Sequence, residues 1–357
     1  MSVSDKFIYP PIWGGRVAAA AATKSPDADN PLLRPVTDIE GIGEATAEKL
    51  RAAGISSVVA LAASPPAKIV DATGTEPARA GRWNTAARAI LEEYGYMEKS
   101  TRTALEIWKA RDKVSYLSTG CEKLDWFFGG DMGAGLEAGT VTEVYGEAGS
   151  GKSQLAYTLC LQARKEGRHV IFIESENAFR VERLAQMAAA RGEDPDKVMG
   201  GIQVVSTPTS AEMLYATDRL RTTVAESKCG LIVLDSIANV FRSEMTGREY
   251  YTERAKFISA VLDPLKAMAR ILKIPVLLIN QVTTKMDGNQ FTDDVIAWGG
   301  KYLAHAVSQN AKVTLYGRRK RLFRMIDSPS RPNVEAIVFI DNSGYVDEDP
   351  EKRGKGK

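Results

Sequence analysis

Eight consecutive residues, Gly146-Glu147-Ala148-Gly149-Ser150-Gly151-Lys152-Ser153, have the types and spacing that cradle a polyphosphate. Small residues let backbone N–H groups close around phosphate oxygens, Lys152 can reach the terminal phosphates, and Ser153 offers a hydroxyl to magnesium. An apolar run, Val141 to Tyr145, leads into the motif, and a helix-like segment starts near Lys152. The helix N-terminus therefore adds positive dipole where the phosphate would sit. Strand, loop and helix signals agree, so the chain is expected to bind a nucleoside triphosphate.

Other apolar runs end in polar groups suited to the same chemistry. Leu231-Ile-Val-Leu-Asp235 delivers a carboxylate to the carboxyl edge of a parallel sheet, which makes Asp235 a metal partner for Ser153. Another strand ends in Glu174-Ser175-Glu176, and Glu176 can orient or deprotonate the attacking water. Spacing alone equally allows a helix N-terminal acid, favoured by the dipole of the segment near Phe179. Pro275 to Ile279 runs into Asn280-Gln281, amides able to touch a terminal phosphate and relay its loss to the loop beyond.

That loop, Val282 to Trp298, carries Lys285, Asn289, Gln290 and Phe291, a mixture suited to single-stranded nucleic acid. Asp287, Asp293 and Asp294 oppose phosphate binding, so an ordinary solvated loop is the other reading. After Asp235 come Arg242, Arg248 and Arg254, spaced to clamp phosphates or to pair with Glu244, Glu249 and Glu253. The densest basic run, Arg318-Arg-Lys-Arg321, reads as a solvated hairpin turn.

These groups need a scaffold, and composition bounds it. At 357 residues with 44% apolar content the chain supports a main core plus a smaller unit. A net charge of +2 gives no global footprint for nucleic acid, so any such contact is local. Three widely spaced cysteines fit a reducing interior, and His169 and His305 are too few for a His-rich metal site. No apolar stretch approaches the roughly 20 residues of a membrane helix.

Residues 1–36 mix Pro, Gly, Ala and Asp without period and read as a flexible extension; the short Ala18 to Ala22 run is no signal peptide. Residues 37–95 read as a small all-α unit, in which Gly41-Ile-Gly43 joins two short helices into a helix-hairpin-helix. Gly41 and Gly43 would offer backbone N–H groups to a DNA phosphate, with Lys49, Arg51 and Lys68 nearby; a protein-docking bundle is the alternative. Residues 96–115 form a linker, residues 116–345 alternate strands with helices, and residues 346–357 form a basic tail. Continuous apolar strands separated by helices imply a mainly parallel α/β sheet, with Val313 to Tyr316, Leu322 to Ile326 and Ala336 to Ile340 as antiparallel strands at its edge.

Together these motifs resemble the archaeal RadA recombinases, RecA-like enzymes of homologous recombination. The resemblance spans roughly residues 36–345. It rests on Gly41-Ile-Gly43, Leu117-Ser-Thr-Gly-Cys-Glu-Lys-Leu-Asp125, the phosphate loop with Gln154, and Glu176-Asn-Ala-Phe-Arg180 with Glu182-Arg183. It continues through Phe241 to Arg254, Asn280-Gln-Val282, Gly299-Gly300 with Leu303-Ala-His305, and Asp327-Ser-Pro329.

What the resemblance implies is a RecA-like P-loop core that uses ATP and Mg2+ in an archaeal cytoplasm. It would form a helical filament on single-stranded DNA, pair with homologous double-stranded DNA and exchange strands, with ATP between protomers. On matching positions, Lys152 and Ser153 bind phosphate and magnesium, Asp235 supports the metal, Glu176 activates water, and Gln281 couples nucleotide state to the second DNA loop. Arg180 and Arg183 lie near the base. Arg242, Arg248 and Arg254 match the first DNA-binding loop, Lys285 falls in the second, and Asp327 and Pro329 match a cap laid over a neighbour's ATP.

Three positions depart from the family pattern. Thr101-Arg-Thr-Ala104 stands where the family has Phe-x-x-Ala, whose Phe is buried in the adjacent protomer. Losing such a Phe forfeits roughly 1.5 to 3 kcal/mol per contact, unless Tyr96, Met97, Phe7 or Trp13 substitutes. Ala148 replaces the usual Phe. Lys301 replaces the usual His, and a lysine there offers a positive contact to a neighbour's ATP. A non-polymerising recombination mediator that binds ATP and docks on a recombinase is the alternative function, and a RecA-like signalling or transport ATPase is a third.

Overall fold

The computed structural model describes residues 30–99, 101–226, 228–245, 247, 249–284 and 295–353. The expectations for residues 1–29, including Phe7 and Trp13, and those for Arg248, Lys285 and the last four residues lie outside this set.

The chain starts with a helical unit. A 3-10 turn, Val36–Asp38, precedes α1 (Glu44–Ala52), α2 (Val58–Ala63), α3 (Pro66–Thr73) and α4 (Pro77–Glu93). The expected hairpin differs in one respect: only that single turn stands ahead of Gly41-Ile-Gly43, because Ile39 is already extended. Its core is Ile42, Leu50, Ile55, Val59, Leu61, Ile69, Trp83 and Leu91, all buried. Buried Asn84 donates to the carbonyls of Leu61 (2.8 Å), Ala62 (3.1 Å) and Ser64 (2.8 Å), the open C-terminal end of α2. Helix α5 (Ala104–Arg111) follows, within what the sequence presents as linker. Thr103 and Glu106 close a capping box at its start, enough to initiate a helix that buries none of its residues.

The remaining elements are β1 (Tyr116–Leu117), α6 (Glu122–Gly129), β2 (Leu136–Glu137), β3 (Val141–Tyr145), α7 (Lys152–Lys165), β4 (His169–Glu174) and α8 (Val181–Ala190). Then come α9 (Pro195–Met199), β5 (Ile202–Ser206), α10 (Ser210–Glu226), β6 (Cys229–Asp235), α11 (Ala238–Glu244) and α12 (Tyr251–Leu272). The chain closes with β7 (Val276–Asn280), β8 (Val282–Thr284), β9 (Val295–Ala297), α13 (Gly300–Ala306), β10 (Gln309–Leu315), β11 (Lys320–Asp327), β12 (Glu335–Asp341), β13 (Gly344–Val346) and α14 (Pro350–Arg353).

Among the described residues the main sheet has nine strands in the order β13-β12-β11-β10-β3-β7-β6-β4-β5. Strands β10, β3, β7, β6, β4 and β5 are parallel, while β11, β12 and β13 extend one edge antiparallel. The expected α/β class is borne out. Strands β3 and β7 are buried at every residue, as continuous apolar runs covered on both faces require. Crossovers return the chain so that β3, β4, β6 and β7 all end on one edge, where the chemistry-bearing residues collect.

The helical unit packs on this core. Leu61 and Ile69 share one apolar cluster with Leu220, Val261 and Leu265. Lys68 and Arg221 both pair with Asp218, and Arg221 Nε donates to the Ala63 carbonyl at 3.3 Å. Among the described residues, no helix is long and apolar enough to cross a membrane.

Candidate active site

The phosphate loop is built from behind. Gly146 leaves β3 so close to β10 that a Cβ there would lie 2.2 Å from the Val313 carbonyl oxygen, so only hydrogen fits. Gly151, the N-cap of α7, has φ +104°, and a Cβ would meet the Tyr345 hydroxyl at 2.5 Å. Five of the loop carbonyls have a side-chain donor. Lys152 Nζ donates to Gly146 O and Glu147 O, both at 2.8 Å. Arg321 donates to Ser150 O (2.8 Å) and Gly149 O (3.4 Å), and the Tyr345 hydroxyl donates to Gly151 O (3.1 Å). Fixing the carbonyls on one side leaves the amide N–H groups for an anion on the other.

Arg321 corrects the expectation of a solvated basic turn. Arg318 and Arg319 do form the turn, but β11 starts at Lys320 and its period-two alternation puts Arg321 on the buried face with Phe323 and Met325. Nothing in the phosphate motif names Arg321 or Tyr345. The alternation Arg321-x-Phe323-x-Met325 was the available signal.

Ser153 Oγ donates to Asp235 Oδ2 at 2.8 Å, joining the start of α7 to the end of β6. Asp235 keeps some solvent access, yet its crowded surroundings push its carboxyl up to about 6; burial is the main cause, Ser153 and Lys152 oppose it, and Glu176 and Glu174 add to it. Burial likewise lowers Lys152, against the pull of Asp235, Glu176 and Glu147. The buried Ser150 hydroxyl has no hydrogen-bond partner among the described residues.

The two acids at the end of β4 and just beyond it have different partners. Glu174 turns back, accepting from the Ala178 amide at 3.2 Å. Glu176 faces the site. Its Oε1 accepts from Ser236 Oγ (2.8 Å) and Gln281 Nε2 (2.5 Å), with the Arg242 guanidinium 3.5 Å away. Ala178 lies in the loop ahead of α8, so among the described residues neither acid accepts from a first-turn amide of that helix. Arg242 pairs with Glu176 and not with Glu244, which instead accepts from Ser210 at the start of α10.

Beneath this lies a group the sequence reading missed. Glu143 on β3 is fully buried and accepts from Asn280 Nδ2 (2.7 Å) and Asn310 Nδ2 (2.5 Å). Burial pushes it up to about 7. Asn280 also donates to Trp298 O (2.7 Å) and accepts from the Gln281 amide (2.8 Å), while Trp298 N donates to Gln281 O (3.0 Å). Both stems of the segment between β8 and β9 are therefore tied to the phosphate-loop strand. Trp298 also stacks on Phe241, the neighbour of Arg242, with ring centres 6.4 Å apart.

Sequence comparison places this arrangement among known proteins. A family profile described as Rad51 matches residues 110–348. The chain belongs to the Rad51 family. A second profile, described as a SAM-like helix-hairpin-helix tandem, matches residues 33–89. Among relatives, the DNA repair and recombination protein RadA of Aeropyrum pernix is 32% identical over 326 residues, covering 89% of this chain and 98% of that protein. The RadA of Cenarchaeum symbiosum is 31% identical over 87% of this chain and 79% of its own length, and that of Metallosphaera sedula 30% over 88% and 96%. The fold described above is thus a RecA-like core with a helix-hairpin-helix domain ahead of it.

Within this Rad51 family chain the other expected positions divide into two groups. Gln154 accepts from Arg183 Nε at 2.8 Å, and Arg183 also donates to Asp341 O (2.6 Å), beside the phosphate loop. Arg180 donates to Asn177 O at 3.1 Å, and its amide to the Tyr157 hydroxyl at 2.8 Å. Arg254 folds onto the Gly247 carbonyl in the first turn of α12. Asp327 and Pro329 are not near their own phosphate loop. β11 runs antiparallel, so Asp327 sits level with Asn310 and Glu143, toward the opposite edge of the sheet, and is exposed.

Thr101, Ala104 and Lys301 are exposed. Tyr96 and Met97 are half-buried and pack against the chain's own core. At the hairpin, Gly43 caps α1 and Gly41 precedes buried Ile42. Two of its three basic neighbours are paired within the chain: Arg51 with Glu44 (2.5 Å) and Lys68 with Asp218.

Proposed function

We propose that the chain is a DNA-dependent ATPase of homologous recombination, assembling head to tail on single-stranded DNA and exchanging strands with a homologous duplex. The observation that carries this reading is the convergence on Glu176 of Gln281 and Arg242, the stems of two segments that leave the phosphate edge. A fuel site wired to two loops suits an engine whose hydrolysis answers to what the loops hold.

In this reading the loop amides and Lys152 hold the ATP phosphates. Ser153 and Asp235 are hard oxygen donors 2.8 Å apart, and the described residues contain no cluster of three or more His, Cys, Asp or Glu, which suits magnesium held by one or two protein oxygens plus phosphate. When bound, the ion supplies charge neutralisation at the phosphates. Glu176, oriented by Ser236 and Gln281, accepts a proton from the attacking water. Gln281 carries a change at the phosphates into the segment 282–298, and Arg242, Arg248, Arg254 and Lys285 meet the DNA backbone. Arg180 and Arg183 lie toward the base. Asp327 and Pro329, exposed on the far edge, suit a cap given to a neighbour's ATP, and Thr101, Ala104 and Lys301 belong to that contact. Contacts that repeat without closing make a helix.

One observation favours the mediator as second reading: Thr101 is exposed where the family buries a Phe. Strand exchange with Lys152→Ala as control, together with electron microscopy on single-stranded DNA with ATP, separates the two. The recombinase forms filaments and joint molecules that the variant loses, whereas a mediator stays small and exchanges nothing.

A further inference from the structure

Three donors approach one oxygen of Glu176, and they differ in what each is attached to. Ser236 directly follows β6 and is buried, so it is held in place. Gln281 is tied at its backbone to Asn280 and Trp298. Arg242 is the loosest of the three: its guanidinium stands 3.5 Å from Oε1 and its side chain is 44% exposed. Yet its backbone is firmly seated, because Phe241 is fully buried between Phe257 (5.7 Å) and Trp298 (6.4 Å). A rigid base under a mobile cation lets the head group change partners without moving α11.

The rival partner follows from the chemistry. A half-exposed ion pair is weakly held, since solvent screens it. A phosphodiester offers oxygens that a guanidinium grips bidentately. We propose that Arg242 is a positioning residue for hydrolysis: without DNA it holds the Glu176 carboxylate aside, and a backbone phosphate of single-stranded DNA draws the guanidinium away. Glu176 then remains on Ser236 and Gln281 alone, oriented toward water. This rests on the reading of Glu176 given above and adds how DNA reaches it. A phosphate contact at this arginine is thereby also the trigger.

The test measures ATP turnover with and without an oligothymidylate for the wild type, Arg242→Gln and Arg242→Lys. Arg242→Gln is expected to raise DNA-free kcat about two- to fivefold, the rate equivalent of a surface ion pair, with KM for ATP unchanged. Stimulation by the oligonucleotide shrinks by the same factor, and the slope of log affinity against log salt falls by about one. Arg242→Lys keeps the charge but loses the guanidinium fork, so its DNA-free kcat is expected between those of wild type and Arg242→Gln. An Arg242→Gln protein with the wild-type melting temperature but a DNA-free kcat at or below wild type, and an undiminished stimulation ratio, overturns the proposal alone. Absence of stimulation in the wild type overturns both the proposal and the recombinase reading.

Discussion

At the scale of single residues, the phosphate loop shows how much support a short motif needs. Gly146 to Ser153 are legible because the motif is local: eight consecutive residues between β3 and the start of α7. Arg321 and Tyr345 are not, because they reach the loop from strands that only the fold brings alongside. Arg321→Met keeps the buried stem but leaves the Ser150 and Gly149 carbonyls without their donor. The expected loss is about 1 to 3 kcal/mol of stability, together with weaker ATP binding, read by thermal unfolding and nucleotide titration. Unchanged values for both would remove Arg321 from the loop's support. The same limit applies to Glu176: spacing leaves it balanced against a helix acid, and only the fold shows its contacts with Ser236, Gln281 and Arg242.

At the scale of elements, the parallel strands were readable as unbroken apolar runs, and their ends fell within a few residues of expectation. What periodicity cannot show is a polar group inside such a run. Glu143 interrupts β3 with a carboxylate whose partners, Asn280 and Asn310, come from the two flanking strands. Its buried carboxyl holds its proton more tightly folded than unfolded, from the ordinary 4.5 up to about 7. Its contribution is therefore full below the unfolded value and is lost as pH rises through the folded one. The difference in stability between wild type and Glu143→Gln should fall by about 3 kcal/mol from acid to neutral pH, measured by urea unfolding at several pH values. A constant difference across that window would mean that the Glu143 carboxyl titrates alike in the folded and unfolded chain. Helix α5 escaped the linker reading because its stability comes from a capping box, with no apolar stripe buried.

At the scale of the whole molecule, the sheet divides the expected residues between two edges, with Lys152, Ser153, Glu176, Asp235 and Gln281 on one and Asp327 toward the other. One chain does not bring both to one nucleotide, so in the proposed filament assembly and catalysis are a single question. In that proposed filament Thr101 is the position to test. Thr101→Phe is expected to lower the concentration needed for assembly about 10- to 100-fold, the equivalent of one buried Phe contact, with the subunit's melting temperature unchanged because the position is exposed. Light scattering with ATP and oligonucleotide reads this, and an unchanged threshold would locate the anchor elsewhere. The central claim, that Glu176 couples hydrolysis to DNA held by the loops, is tested most directly by ATP turnover of wild type and Glu176→Gln with and without single-stranded DNA. The account predicts a wild-type rate raised by DNA, and a variant that binds ATP normally but turns over about 10²- to 10⁴-fold more slowly in both conditions. A variant that hydrolyses ATP at the wild-type rate, or a wild type indifferent to DNA, would contradict it.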